Sequence, residues 1–221
     1  MDIELQQRPS HAIAVVTLAP GEALQAESGA MIAMSTNVTT ETSAGGAKKA
    51  LKRLFGGESF FRNTFRVQSE PGQVIVAPPL CGDMMTFELS AGRELFLQSG
   101  AYVASELGVV VDTKVGGFRG FFSGAGVFVL KASGEGRLLV GAFGAIEAIA
   151  VDGTHVVDTG HLVAWEASLD YSIRKAGSGW ISSWLSGEGL IAEMKGQGTV
   201  WIQSRNPVEY GRAVGGMMSP A

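Results

Sequence analysis

The stretch ISSWLSGEGLIAEMKGQGTVWIQSR, residues 181–205, decides the fold. Ile181, Trp184 and Leu185 stand six, three and two residues ahead of Gly187, and two apolar runs follow, divided by Gly196-Gln197-Gly198. Glycine adopts backbone conformations that other residues resist, so this pattern reads as strand, turn, strand. The second run alternates, with Val200 and Ile202 expected on one face and Trp201 and Gln203 on the other.

Working outward, the same apolar triplet occurs twice more. Leu51, Leu54 and Phe55 hold the same offsets before Gly57, and Phe118, Phe121 and Phe122 hold them before Gly124. Glu70-Pro71-Gly72-Gln73 and Gly134-Glu135-Gly136 stand at the matching turn. Pro71 presets a negative φ and Gly72 supplies the positive φ of a type II turn; Ala19-Pro20-Gly21-Glu22 is a second example. Val151-Asp152-Gly153-Thr154 reads as a two-residue hairpin turn. Gly21, Gly92 and Gly160 each precede a branched apolar residue by three places, Leu24, Leu95 and Val163, a register that aligns Glu27, Gln98 and Glu166.

The expected fold is all-β: three tandem β-sandwich or barrel repeats related by pseudo-threefold symmetry. They cover residues 1–80, 81–146 and 147–210, with a flexible tail at 211–221. Units this small hold marginal cores alone, so they must share buried surface. One short amphipathic helix is expected near 47–55, where Ala47, Ala50, Leu51, Leu54 and Phe55 share a face and Lys48, Lys49, Lys52 and Arg53 oppose it.

Composition agrees. The 221 residues are 46% hydrophobic and 17% charged, enough for a core and against disorder. A net charge of −4 argues against a globally basic nucleic-acid binder. Cys81 is the single cysteine, so no internal disulfide forms, and a reducing compartment fits. It follows Pro78, Pro79 and Leu80 with no histidine near in sequence, and is expected as a buried, inert thiol. The opening MDIELQQRPS does not resemble a signal peptide, and no apolar run approaches the roughly 18 residues that span a bilayer. A cytoplasmic protein is expected.

Catalytic patterns are weak. His11, His155 and His161 form no His-x-His pair, so a cupin-like metal site would rest on His155, His161 and Glu166. Solvated histidines beside turns are the better reading. There is no Gly-x-Ser-x-Gly elbow and no phosphate-binding glycine loop. Glu58 and Glu188 share one place in the first and third units, where the second has Ala125; surface carboxylates are expected there. No catalytic, metal or cofactor residue is assigned, and the chain is not expected to be an enzyme.

The most suggestive surface is basic. Lys48, Lys49, Lys52 and Arg53 are joined by Lys114 and Arg119 at the second copy and by Arg174 and Lys175 before the third. On one face, beside Phe118, Phe121, Trp180 and Trp184, they would form a patch for anionic lipid headgroups, at about 1 kcal/mol per basic residue. RNA phosphates are a less favoured partner. The competing reading places the aromatics in the core and the lysines in water.

Several landmarks resemble the family named for altered inheritance of mitochondria, protein twenty-four. They are Pro20-Gly21-Glu22, Ser28-Gly29-Ala30-Met31, Gly57-Glu58-Ser59, Gly82-Asp83, the stretch Val157 to Val163, Ser186-Gly187-Glu188-Gly189-Leu190 and Gln203-Ser204-Arg205. The resemblance implies a fold like that of the tryptophan RNA-binding attenuation protein. It brings no catalytic residues. Mitochondrial members are associated with inner-membrane organisation, but the transit peptide that role would need is not evident here. The expected function is a non-enzymatic oligomeric scaffold or binding protein, peripheral to anionic membranes in its most concrete form. A homo-oligomer is expected, with a trimer as one candidate. The alternatives are a small-ligand binder with pockets between repeats and a metal-dependent cupin-like enzyme.

Overall fold

The computed structural model describes residues 1–43, 62–112, 128–175 and 190–218. The apolar triplets, the stretch near 47–55 where a helix is expected, Glu58 and Glu188 lie outside the described residues.

After β1 (Asp2–Gln6) come six strands: β2 (Ile13–Leu18), β3 (Ala23–Glu27), β4 (Met31–Met34), β5 (Thr39–Ser43), β6 (Arg62–Arg66) and β7 (Gly72–Val76). A second six follow: β8 (Met84–Leu89), β9 (Leu95–Gln98), β10 (Tyr102–Glu106), β11 (Val109–Asp112), β12 (Val129–Gly134) and β13 (Gly136–Gly141). The third set has two long strands, β14 (Ile146–Asp158) and β17 (Leu190–Gln203), with β15 (Leu162–Glu166) and β16 (Asp170–Lys175) between them. Helix α1 (Pro207–Met217) comes last. The protein is predominantly β, as expected.

The antiparallel pairings recur from set to set. In the first, β2 and β4 flank β7 while β3 and β5 flank β6. In the second, β8 and β10 flank β13 while β9 and β11 flank β12. In the third, β14 runs along the whole of β17, whose far side takes β15 on its C-terminal half and β16 on its N-terminal half. A register slip also recurs, between Met31 and Ala33, Tyr102 and Ala104, and Leu162 and Ala164. Such a bulge sharpens local twist and re-aims the strand.

Consecutive sets are stitched together by strands. β10 pairs with β3, placing Ala104 opposite Ala26, Ser105 opposite Gln25 and Glu106 opposite Leu24. β15 pairs with β9, placing Ala164 opposite Leu97, Trp165 opposite Phe96 and Glu166 opposite Leu95. The resulting sheets run β1-β2-β7-β4, β5-β6-β3-β10-β13-β8 and β11-β12-β9-β15-β17-β14, with β16 added on β17. The cores are shared accordingly. Val103, Ala104 and Leu139 of the second set pack with Leu24, Phe65 and Val76 of the first. Val163, Ala164 and Trp201 of the third pack with Leu95, Leu97 and Leu138 of the second. Each fully buried Val or Leu contributes roughly 1.5–3 kcal/mol, so separating two sets would expose a large share of both cores.

Several local expectations change. The Ala19–Glu22 turn forms as read, with Gly21 at φ +82° and the Glu22 N–H donating to the Ala19 carbonyl at 3.0 Å. Gly72 instead opens β7 and is not among the positive-φ glycines. A Cβ there would meet Val67 Cγ1 at 2.8 Å, so close approach explains the glycine. Val151–Thr154 is no hairpin: β14 runs straight through, and Gly153 pairs with Gly196 of β17. Gly153, at φ +100°, is therefore the counterpart of Gly21 and Gly92, and Gly160 sits seven residues beyond that place. The alignment of Glu166 with Glu27 and Gln98 falls with it; Asp158 takes that position. Trp201 and Gln203 are buried as well as Val200, because β17 lies between two core clusters. The stretch read as a tail is helical through Met217, started by Asn206 and Pro207.

Candidate functional site

The ends of the second and third sets meet beneath α1 around a cavity of about 380 Å³. Pro78, Pro79 and Leu80 form one wall, Gly141 to Phe143 another, and Pro207, Val208 and Gly211 the helical side. Gln203 organises the floor. Its Oε1 accepts from the Phe143 N–H at 2.9 Å, and its Nε2 donates to the Gly160 carbonyl at 2.8 Å. Its own carbonyl accepts from His161 Nδ1 at 2.7 Å, which fixes the proton on that nitrogen.

The helix is placed by local chemistry. Asn206 Oδ1 accepts from the Val208 and Glu209 amides at 2.9 and 3.3 Å, and Pro207 supplies the fixed φ of a first helical residue. Tyr210 packs edge-on against Phe143 at 5.1 Å. Gly160 must lack a side chain, since a Cβ would lie 2.2 Å from Asn206 Nδ2. Sequence reading missed this site, although Asn-Pro with Glu209 two residues on is a legible helix start.

A second polar centre ties the N-terminal segment to the middle of the chain. Asp83 is buried, and Arg8 grips it with two bonds, Nε to Oδ1 at 2.7 Å and Nη2 to Oδ2 at 2.9 Å. The Met84 amide adds a third at 2.8 Å. Donating these hydrogen bonds to the Asp83 carboxylate raises the Arg8 pKa above its ordinary value. At the joint between the first two sets, the Tyr102 hydroxyl donates to the Gln25 carbonyl at 3.3 Å and shares a 3.0 Å bond with Ser105. Burial pushes the Tyr102 pKa up, against the opposing pull of the Ser105 bond. Burial likewise raises the Glu27 carboxyl.

The residues singled out in the sequence are dispersed. His155 is exposed on β14 opposite Met194, His161 is held by Gln203, and Glu166 Oε2 accepts from the Thr199 amide at 3.0 Å. These three do not converge, and among the described residues no cluster of three or more metal-ligating side chains occurs. Cys81 is exposed rather than buried, because the Pro78–Cys81 connection runs over the surface. Of the basic set, Lys48, Lys49, Lys52, Arg53, Lys114 and Arg119 lie outside the described residues. Arg174 is paired with Glu193 at 3.1 Å, and Lys175 ends β16. Among the described residues no helix is long and apolar enough to cross a membrane.

The family described as "Mitochondrial biogenesis AIM24" matches residues 3–205. The chain belongs to the AIM24 family. An uncharacterised protein of Streptococcus pyogenes serotype M6 is 32% identical over 208 residues, covering 88% of this chain and 82% of the relative. A crystal structure of a protein from Streptococcus pyogenes superposes with a TM-score of 0.84 at 26% identity, covering 98% of this chain and 99% of the other. The AIM24 match thus spans all three strand sets, from β1 to the end of β17.

Proposed function

We propose that this AIM24-family chain is a non-catalytic, oligomeric β scaffold whose three strand sets are copies of one module, similar to that of the tryptophan RNA-binding attenuation protein. The observation that carries this reading is the repeated joint. Two consecutive modules dock twice, by the same pair of strands and in the same register. Docking of like on like is therefore built into the fold. A pseudo-threefold axis is the special case in which three such steps close a circle. The commitment of Asp83, His161, Gln203 and Glu166 to bonds that hold the fold supports a structural role for them. Light scattering of the purified chain over a hundredfold concentration range tests the scaffold: a mass of two or more chains is expected, and a monomer throughout would refute it.

The expected setting is the cytoplasm, with peripheral attachment to anionic membranes. What supports attachment is the sequence from Lys48 to Arg66, with six basic residues and one acid. Salt-sensitive co-sedimentation with phosphatidylserine vesicles, reduced by Lys48→Glu with Lys52→Glu, is the expected result. Protein left in the supernatant at low salt contradicts it.

The cavity beneath α1 favours a second reading, a small apolar ligand held between modules, as its walls of proline, leucine and valine suggest. Thermal stabilisation of the wild type by medium-chain fatty acids, lost in Gly211→Trp, would support it.

A further inference from the structure

The two joints inside the chain predict a third, and each of its halves lies at a sheet edge. Every joint pairs the third strand of one module with the second strand of the module before it. The first module's third strand is β4 and the last module's second strand is the 154–158 half of β14. Among the described residues β4 pairs with β7 and β14 with β17, and each ends its sheet.

Burial follows this arrangement. Tyr102, Val103, Ala104 and Ser105 of β10 are all buried, as are Leu162, Val163, Ala164 and Trp165 of β15. Their counterparts in β4 are exposed: Met31 by 40%, Ile32 by 56% and Met34 by 41%. Ser105 and Trp165, each 1% exposed, stand where Met34 stands. β4 carries the same bulge and the same inner partner as they do. It lacks only a preceding module. On the other side Val156, 49% exposed, takes the place of Gln25 and Phe96, which are half-buried under their partner strands. A bare, uncharged Met-Ile-Ala-Met edge invites strand addition, and soluble proteins ordinarily blunt such edges.

We propose that β4 of one chain pairs antiparallel with residues 154–158 of β14 in a second copy of the same chain. This rests on the scaffold reading and names its interface. The register follows from the internal joints: Ala33 opposite Val157, Met34 opposite Val156, and Ser35 opposite His155. The joint completes a sheet β16-β17-β14-β4-β7-β2-β1, equivalent to the two mixed sheets within the chain. Because its two halves are different surfaces, the contact is head-to-tail and runs on until a ring closes.

The test uses the full chain carrying Cys81→Ser. A preparation with Met34→Cys is mixed with one carrying Val156→Cys and oxidised, alongside light scattering of the same samples. A disulfide-linked dimer is expected in the mixture and in neither preparation alone. Substituting Thr154→Cys for Val156→Cys should abolish it, since that position is two residues out of register. Met34→Glu with Val156→Glu should weaken self-association by about tenfold or more, and Met34→Glu with Val156→Arg should restore it. Oligomers that fail to cross-link would overturn this joint and leave the scaffold standing, whereas monomers at every concentration would overturn both. An intrachain disulfide in the Met34→Cys, Val156→Cys double variant would place the joint within one chain, and self-linked Met34→Cys would mean a twofold β4 contact. Either result overturns the proposal.

Discussion

Asp83 shows how one buried charge fastens a long chain. Its carboxylate is 6% exposed, and Arg8, 75 residues earlier in sequence, satisfies both oxygens. Arg8→Ala leaves that carboxylate with the Met84 amide, at a cost of about 2–3 kcal/mol in urea denaturation. Adding Asp83→Ala should cost little more, because the stranded charge is the larger penalty. Glu27 acts in the opposite sense. Burial raises its pKa, so the folded chain keeps a proton that the unfolded chain releases near pH 4.3. Stability is then fullest below the unfolded value and falls as pH rises through the folded one. Glu27→Gln should raise the melting temperature at pH 7 and leave it unchanged at pH 3.

At the scale of elements, the strands were readable where local chemistry is unambiguous. Pro20-Gly21 makes the turn that its residues demand. Gly72 and Gly153 both read as turn residues because a glycine letter does not tell a turn from a strand: Gly72 is required by close approach, while Gly153 keeps its positive φ inside β14. Aligning Gly160 in place of Gly153 displaces the third register, so Glu166 falls beside Glu27 and Gln98 where Asp158 belongs. The cavity stayed hidden for another reason: Phe143, Gly160 and Gln203 converge through tertiary folding, with no spacing to betray it. Helix α1 carried its signal in Asn206-Pro207. Asn206→Ala should cost that helix about 1 kcal/mol, seen as faster amide exchange over residues 208–212. Gly160→Ala should act more widely, since its Cβ would overlap the Asn206 side chain.

Across the whole molecule, shared cores predict cooperative unfolding. Leu97 lies where β15 pairs with β9, fully buried among residues of two strand sets. Leu97→Ala should destabilise by about 2–5 kcal/mol, and calorimetry should still show a single transition. Independent modules would melt in steps. The central claim, that β4 and residues 154–158 are two halves of one repeated joint, is tested most directly by hydrogen exchange of both segments as the protein is diluted. In concentrated solution, amides of 31–35 and 154–158 should exchange as slowly as those of 102–106 and 162–166, and both edges should lose protection together on dilution while the internal joints keep theirs. Edges that exchange fast at every concentration, or slowly at every concentration, would contradict it.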